Sequence, residues 1–158
     1  FFRMRGATDE ALAWVELALA AHSGSLARRD IAIGLASIRR QRGELAEATA
    51  ELETALRIDP SSAVAGYNLN LLKVESALAR GDYSAALTAS LELTRLDPAN
   101  PLPYFNIGVI YDRLPESRQK ALEAYREFLR RGGNDQYPEA ARRARERIEL
   151  LNFELNRR

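Results

Sequence analysis

Side-chain catalysis starts from a nucleophile, a base close to it and a third group that holds the base in place. This chain of 158 residues has a single histidine, His22, and no cysteine. His22 stands beside Ser23, Gly24 and Ser25 at the end of a helical pattern, where a cation complements the helix dipole, so its reading is structural. The lack of cysteine excludes thiolate chemistry, disulfides and Cys-ligated metal, and leaves the compartment open. The carboxylates are scattered, without the spacing of a metal-ligand set. No strand-like segment precedes the glycines, so none of them reads as a phosphate-cradling loop. The sequence therefore offers no catalytic residue, no metal site and no cofactor, and it is not read as an enzyme.

Two groups of residues could instead do recognition chemistry. Arg142, Arg143, Arg145 and Arg147 are interleaved with Glu139, Glu146 and Glu149, and Glu139 stands four residues before Arg143. That pattern favours a solvated helix face over a phosphate-binding one. Formal net charge is +1, from 23 basic and 22 acidic residues, which gives no electrostatic reason to expect nucleic acid. The second group is a repeated triplet, Tyr67-Asn68-Leu69 and Phe105-Asn106-Ile107, with 38 residues between equivalent positions. Asparagine is unfavourable inside a helix, so its recurrence asks for a reason. Its amide can grip the backbone of a bound peptide, and it can equally bond to a neighbouring helix or face water. Trp14, the one tryptophan, is expected to pack against neighbouring helices rather than to serve as an exposed hot spot.

The elements that position these residues follow from composition and period. Hydrophobic residues make up 46% of the chain and charged residues 28%, a globular balance rich in good helix formers. Lys73 and Lys120 are the only lysines, a skew towards arginine that fits a GC-rich genome. No apolar run reaches the roughly 18 residues of a membrane span. The opening Phe1-Phe2-Arg3-Met4-Arg5-Gly6 has neither the apolar core of a signal peptide nor an initiator methionine, so a piece of a longer protein is expected.

Three glycines open nearly identical phrases: Gly6 to Ala11, Gly43 to Ala48 and Gly81 to Ala86. A fourth runs from Pro115 to Ala121. The alanines lie 37, 38 and 35 residues apart, and twelve residues after them come Ser23, Pro60, Pro98 and Gly133. Each phrase has helical spacing, as in Ala48, Leu52, Ala55 and Leu56. The glycines suit tight turns, and the Asp59-Pro60 and Asp97-Pro98 pairs stop helices because a residue before proline avoids the α region. A second set of helices is expected near 27–42, 62–80 and 101–114, with Ser61 or Ser62 and Asn100 as caps. A last helix starts near Pro138, its stripe formed by Ala141, Ala144, Ile148, Leu151 and Leu155.

This alternation resembles the tetratricopeptide repeat family, whose unit is a helix pair of about 34 residues. The fullest copy reads Tyr104-x-x-Ile107-Gly108-x-x-Tyr111, then Ala121 and Tyr125. Another keeps Leu69, Gly81, Tyr83, Ala86 and Pro98, and a third keeps Leu35, Gly43, Leu45, Ala48, Leu52, Ala55 and Pro60. The resemblance implies an all-α superhelical solenoid of about eight antiparallel helices in a single domain, 1–158. Its parts would be a partial repeat at 7–25, full repeats at 27–60, 62–98 and 101–133, and a capping helix at 137–155. Small Gly108 and Ala48 would let helices approach closely, while Tyr111 and Tyr125 fill the space between pairs.

In that family the first helix of each pair lines the concave side. The resemblance thus implies a partner-binding face of Ile33, Ser37, Arg40, Val64, Tyr67, Asn68, Leu71, Leu102, Phe105, Asn106 and Val109, with Arg40 towards one rim and Asp112 towards another. Tyr67 and Phe105 fall about 200° around the helix from the packing residues Leu69 and Ile107, which sets them away from that core layer. The basic residues with which some members clamp a C-terminal carboxylate are not reproduced, so an apolar or amphipathic segment is the expected ligand. The sequence is read as a non-catalytic scaffold for a protein or peptide within a larger bacterial assembly or protein, with no nucleic acid and no membrane insertion. Self-association through the terminal helices, by way of Leu150 and Phe153, is a second reading, which a concentration-independent monomer in light scattering would disfavour. A regulatory arm of an enzyme with its catalytic part outside this chain is a third.

Overall fold

The computed structural model describes residues 10, 13–15, 17 and 24–157. His22 and most of the expected partial repeat lie outside the described residues. Among those described, seven helices have eleven residues or more: α1 (Ser25–Gln41), α2 (Leu45–Ile58), α3 (Ala63–Ala79), α4 (Tyr83–Leu96), α5 (Leu102–Asp112), α6 (Arg118–Phe128) and α7 (Pro138–Asn156). Successive helices pack as antiparallel pairs, α1 on α2 and α5 on α6, with α7 against α6. The chain divides into two compact units, residues 1–72 and 73–158, and the division falls inside α3.

The turns show why the glycines recur. Gly43 and Gly81 have φ of 81° and 71°, a left-handed conformation that costs other residues a steric penalty. After α1, the Gly43 N–H donates to the Arg40 carbonyl and the Glu44 N–H to the Arg39 carbonyl, at 2.9 Å each. After α3, Gly81 and Asp82 donate in the same way to Leu78 and Ala77. Both ends are Schellman motifs, which satisfy carbonyls that a bare helix end would leave unpaired. The other junctions repeat as well. Asp59 and Asp97 leave the helix at φ of −137° and −138°, as their following prolines require. Ser62 accepts the Ala65 N–H at 3.3 Å, Asn100 accepts that of Leu102 at 3.0 Å, and Asp82 caps α4 by accepting that of Ala85.

In the first unit the core is Ala32 and Ala36 of α1, Ala48, Leu52 and Ala55 of α2, and Ala65, Leu69 and Leu72 of α3. Alanine at so many of these places lets the helices approach closely, and the leucines fill what remains. The Arg29 guanidinium reaches Asp59 at 2.7 Å, tying the start of α1 to the end of α2.

In the second unit Phe105, Ala121, Leu122, Tyr125, Phe128, Ala141, Ala144 and Leu151 make one cluster, joined by Ile148 and Leu155. The stripe expected on the last helix is therefore the face that α7 buries. Ala77, Ala86 and Ile110 form a smaller cluster. Gly108 sits where a Cβ would lie 2.7 Å from the Tyr125 ring, so the close approach expected of that glycine is present. The chain leaves α6 through a kinked turn, Leu129–Gly133, in which Gly132 has φ of 85°. Arg131 holds this turn in place by bonding to Glu127 at 2.6 Å and to the Pro98 carbonyl, with its guanidinium 4.4 Å from the centre of the Tyr104 ring.

Trp14 departs from expectation. It is 72% exposed, so the indole does not serve as a packing residue.

Candidate functional site

Helical steps of four and three place Ile33, Ser37 and Arg40 on one face of α1, and Val64, Tyr67, Asn68 and Leu71 on one face of α3. Both faces belong to the first unit, and the structure brings part of them together. Ser37, Arg40 and Asn68 line a depression floored by Ala36, Leu52 and Leu72, with a volume of about 40 Å³. That is room for little more than one water molecule. Val64 is 59% exposed, Ser37 and Arg40 are exposed, and Tyr67, Asn68 and Leu71 are half-buried. Ile33 leans on the core from the side. A hydroxyl, a guanidinium and a primary amide thus surround a small apolar floor, with an exposed valine further along α3. Such a set can exchange hydrogen bonds with a backbone lying across it, with Val64 as an apolar contact on the same face of α3.

The α5 residues behave differently. Phe105 is only 8% exposed, its ring centre 5.8 Å from that of Tyr125 and 5.3 Å from that of Phe128. The sequence reading turned this ring away from the packing layer of Ile107, yet both residues are buried. The physical reason is that α5 is apolar nearly all the way round, and such a helix is covered on more than one side. Phe128, large where the repeat pattern has a small residue, and α7 supply the cover. Leu102 and Val109 are partly buried against the same cluster, and Asn106 is half-buried.

Sequence reasoning missed a second cavity, which lies in the second unit. Val109 and Asp112 of α5, the adjoining Arg113, Tyr125 of α6, and Arg143, Glu146 and Arg147 of α7 line a cleft of about 370 Å³. Arg147 donates two hydrogen bonds of 2.6 Å to Asp112, one to each carboxylate oxygen. This is the planar, bidentate pairing that suits guanidinium and carboxylate. Burial, and then the Asp112 carboxylate, hold the Tyr125 phenol above its ordinary range. Arg143 lies over the Phe105 ring, 5.5 Å from its centre.

Of the arginine run, Arg142 alone follows the pattern of an ion-paired solvated face, bonding to Glu139 and Glu146. Glu139 thus pairs with Arg142 rather than with Arg143. The signal available in the sequence was the four-residue step from Arg143 to Arg147, which puts both on one side of α7.

Helix pairs joined by recurring glycine turns and Asp-Pro stops, with a closing amphipathic helix, define the tetratricopeptide-repeat fold. Solved structures agree. The chain is similar to the crystal structure of MamA protein, with a TM-score of 0.64 and 21% identity over 98% of this chain and 80% of that one. A second MamA crystal structure gives 0.63 and 19%, covering 98% and 92%. A tetratricopeptide repeat protein from Parabacteroides merdae ATCC 43184 gives 0.68 and 18%, covering 98% of this chain and 57% of that one. At these identities the likeness is one of fold. No family model and no curated protein matches the chain. Among the described residues, no group of three His, Asp or Glu side chains could hold a metal ion, and no helix is long and apolar enough to cross a membrane.

Proposed function

We propose that the chain is a non-catalytic protein-interaction module that binds a peptide or amphipathic segment of a partner protein within a larger assembly. Binding takes place on the face of α1 and α3 that carries Ile33, Ser37, Arg40, Val64, Tyr67, Asn68 and Leu71. Leu102, Asn106 and Val109 of α5, in the second unit, are a separate candidate surface. The observation that carries this reading is the convergence of Ser37, Arg40 and Asn68 around one small depression, with exposed Val64 on the same face of α3. The tetratricopeptide-repeat fold supports it as an analogy of architecture, since function resides in a site and not in a fold. Phe105 contributes packing rather than contact, so substituting it tests stability and not binding.

Peptides selected from a random display library against the whole chain provide the test. Val64→Asp places a charge in the apolar contact, and Asn68→Ala removes the amide. Each is expected to weaken binding by about tenfold, which corresponds to about 1.4 kcal/mol, with helicity and melting nearly unchanged. Undiminished affinity of both variants would reject this face.

A further inference from the structure

The cleft of the second unit carries more positive charge than its own carboxylates neutralise. Three arginines line it, Arg113, Arg143 and Arg147, against two acidic residues, Asp112 and Glu146. Arg147 and Asp112 satisfy one another through two bonds. Glu146 is drawn to Arg142 at 2.8 Å, and so contributes little negative charge to the cleft. Arg113 is exposed, and Arg143 has the Phe105 ring as its neighbour. Neither has a carboxylate partner among the described residues. Two arginines without a carboxylate partner among the described residues therefore border one cleft, beside the apolar Val109.

We propose that this cleft receives side-chain carboxylates of an acidic peptide segment, Arg143 and Arg113 pairing with them while Val109 takes an adjacent apolar group. The inference rests on the peptide-binding reading and sharpens it, since the ligand becomes acidic as well as apolar. Arg143 is the better placed of the two, because the ring beneath it limits its motion and spares part of the entropy of ordering a long side chain. The bidentate pair beside it holds the cleft wall in register. Side-chain carboxylates are favoured over a single phosphate or a chain end because the cleft, at about 370 Å³, holds several groups and has an apolar wall.

The test uses the whole ¹⁵N-labelled chain and two N-acetylated, C-amidated octapeptides, one alternating leucine with glutamate and the other leucine with glutamine. Blocked ends exclude binding through a chain terminus. The glutamate peptide is expected to shift the side-chain N–H signals of Arg113 and Arg143 and the amide of Val109. It should bind at least about tenfold more tightly than the glutamine peptide, and the difference should shrink with added salt. Arg113→Gln and Arg143→Gln should each remove most of that difference. Arg113 is exposed, so its variant remains informative if replacing Arg143 disturbs the ring beneath it. Equal affinity for the two peptides, or shifts confined to Ser37, Val64 and Asn68, would overturn the proposal while leaving the α1–α3 reading intact. Displacement of the glutamate peptide by a short oligothymidylate at lower concentration than by free glutamate peptide would assign the cleft to phosphate instead, and would also overturn it.

Discussion

Tyr125 fills the space in which any side chain at position 108 would have to sit. A Cβ there would come within 2.7 Å of two carbons of the ring, and the ring is nearly fully buried, so it has little room to move. Gly108→Ala should therefore destabilise the protein by about 1–3 kcal/mol through overpacking, in spite of alanine's better helix propensity. Gly34 and Gly66 also sit inside helices, but nothing lies within 4 Å of a Cβ at either. Alanine at those two positions should stabilise by about 0.5–1 kcal/mol. Denaturant unfolding of the three variants checks the contrast, and a stabilising Gly108→Ala would show that the ring yields. The role of Gly108 was legible because it stands in a recognisable repeat position. That of Phe105 was not, because angular position on one helix says nothing about how large the residues on the next helices are.

At the level of single elements, starts and stops were the most readable features, since they depend on local backbone chemistry. Gly43, Gly81, Asp59-Pro60, Asp97-Pro98, Ser62 and Asn100 all act where the sequence places them. The interior of α5 was less readable because an apolar face and a partner-binding face look alike when nearly every residue is apolar. Cross-helix pairing was least readable of all. Arg147 finds Asp112 from 35 residues away, and no local pattern records that.

The end of α6 allows a pH experiment. Hydrogen bonds from Arg130, and then from Arg131, lower the Glu127 carboxyl from 4.5 to about 2. A carboxylate held below its unfolded value contributes stability that is complete above the unfolded pKa and disappears as the pH falls through the folded one. Glu127 should thus support the fold fully above about pH 4.5, with its contribution fading between there and about pH 2. Glu127→Gln is expected to flatten that part of the stability–pH curve in urea titrations. An unchanged acid limb would show that the arginines hold nothing through this carboxylate.

For the molecule as a whole, the repeat carried the fold. Alanine spacings of 37, 38 and 35 residues imply a helical pair that cannot bury its own face, and stacking such pairs is the physical solution. The candidate site was legible in part. The residues on α1 and α3 follow from period and family resemblance, and Ser37, Arg40 and Asn68 do converge. The cleft at Asp112, Arg143 and Arg147 emerges only from tertiary packing, because its two walls come from helices separated by α6. The peptide-binding claim is met most directly by mapping the footprint of a library-selected peptide on the labelled chain by NMR. Saturable shifts at the amides of Ser37, Val64 and Asn68 are expected. A footprint on exposed Leu150 and Phe153, with those three amides unmoved, would contradict the claim.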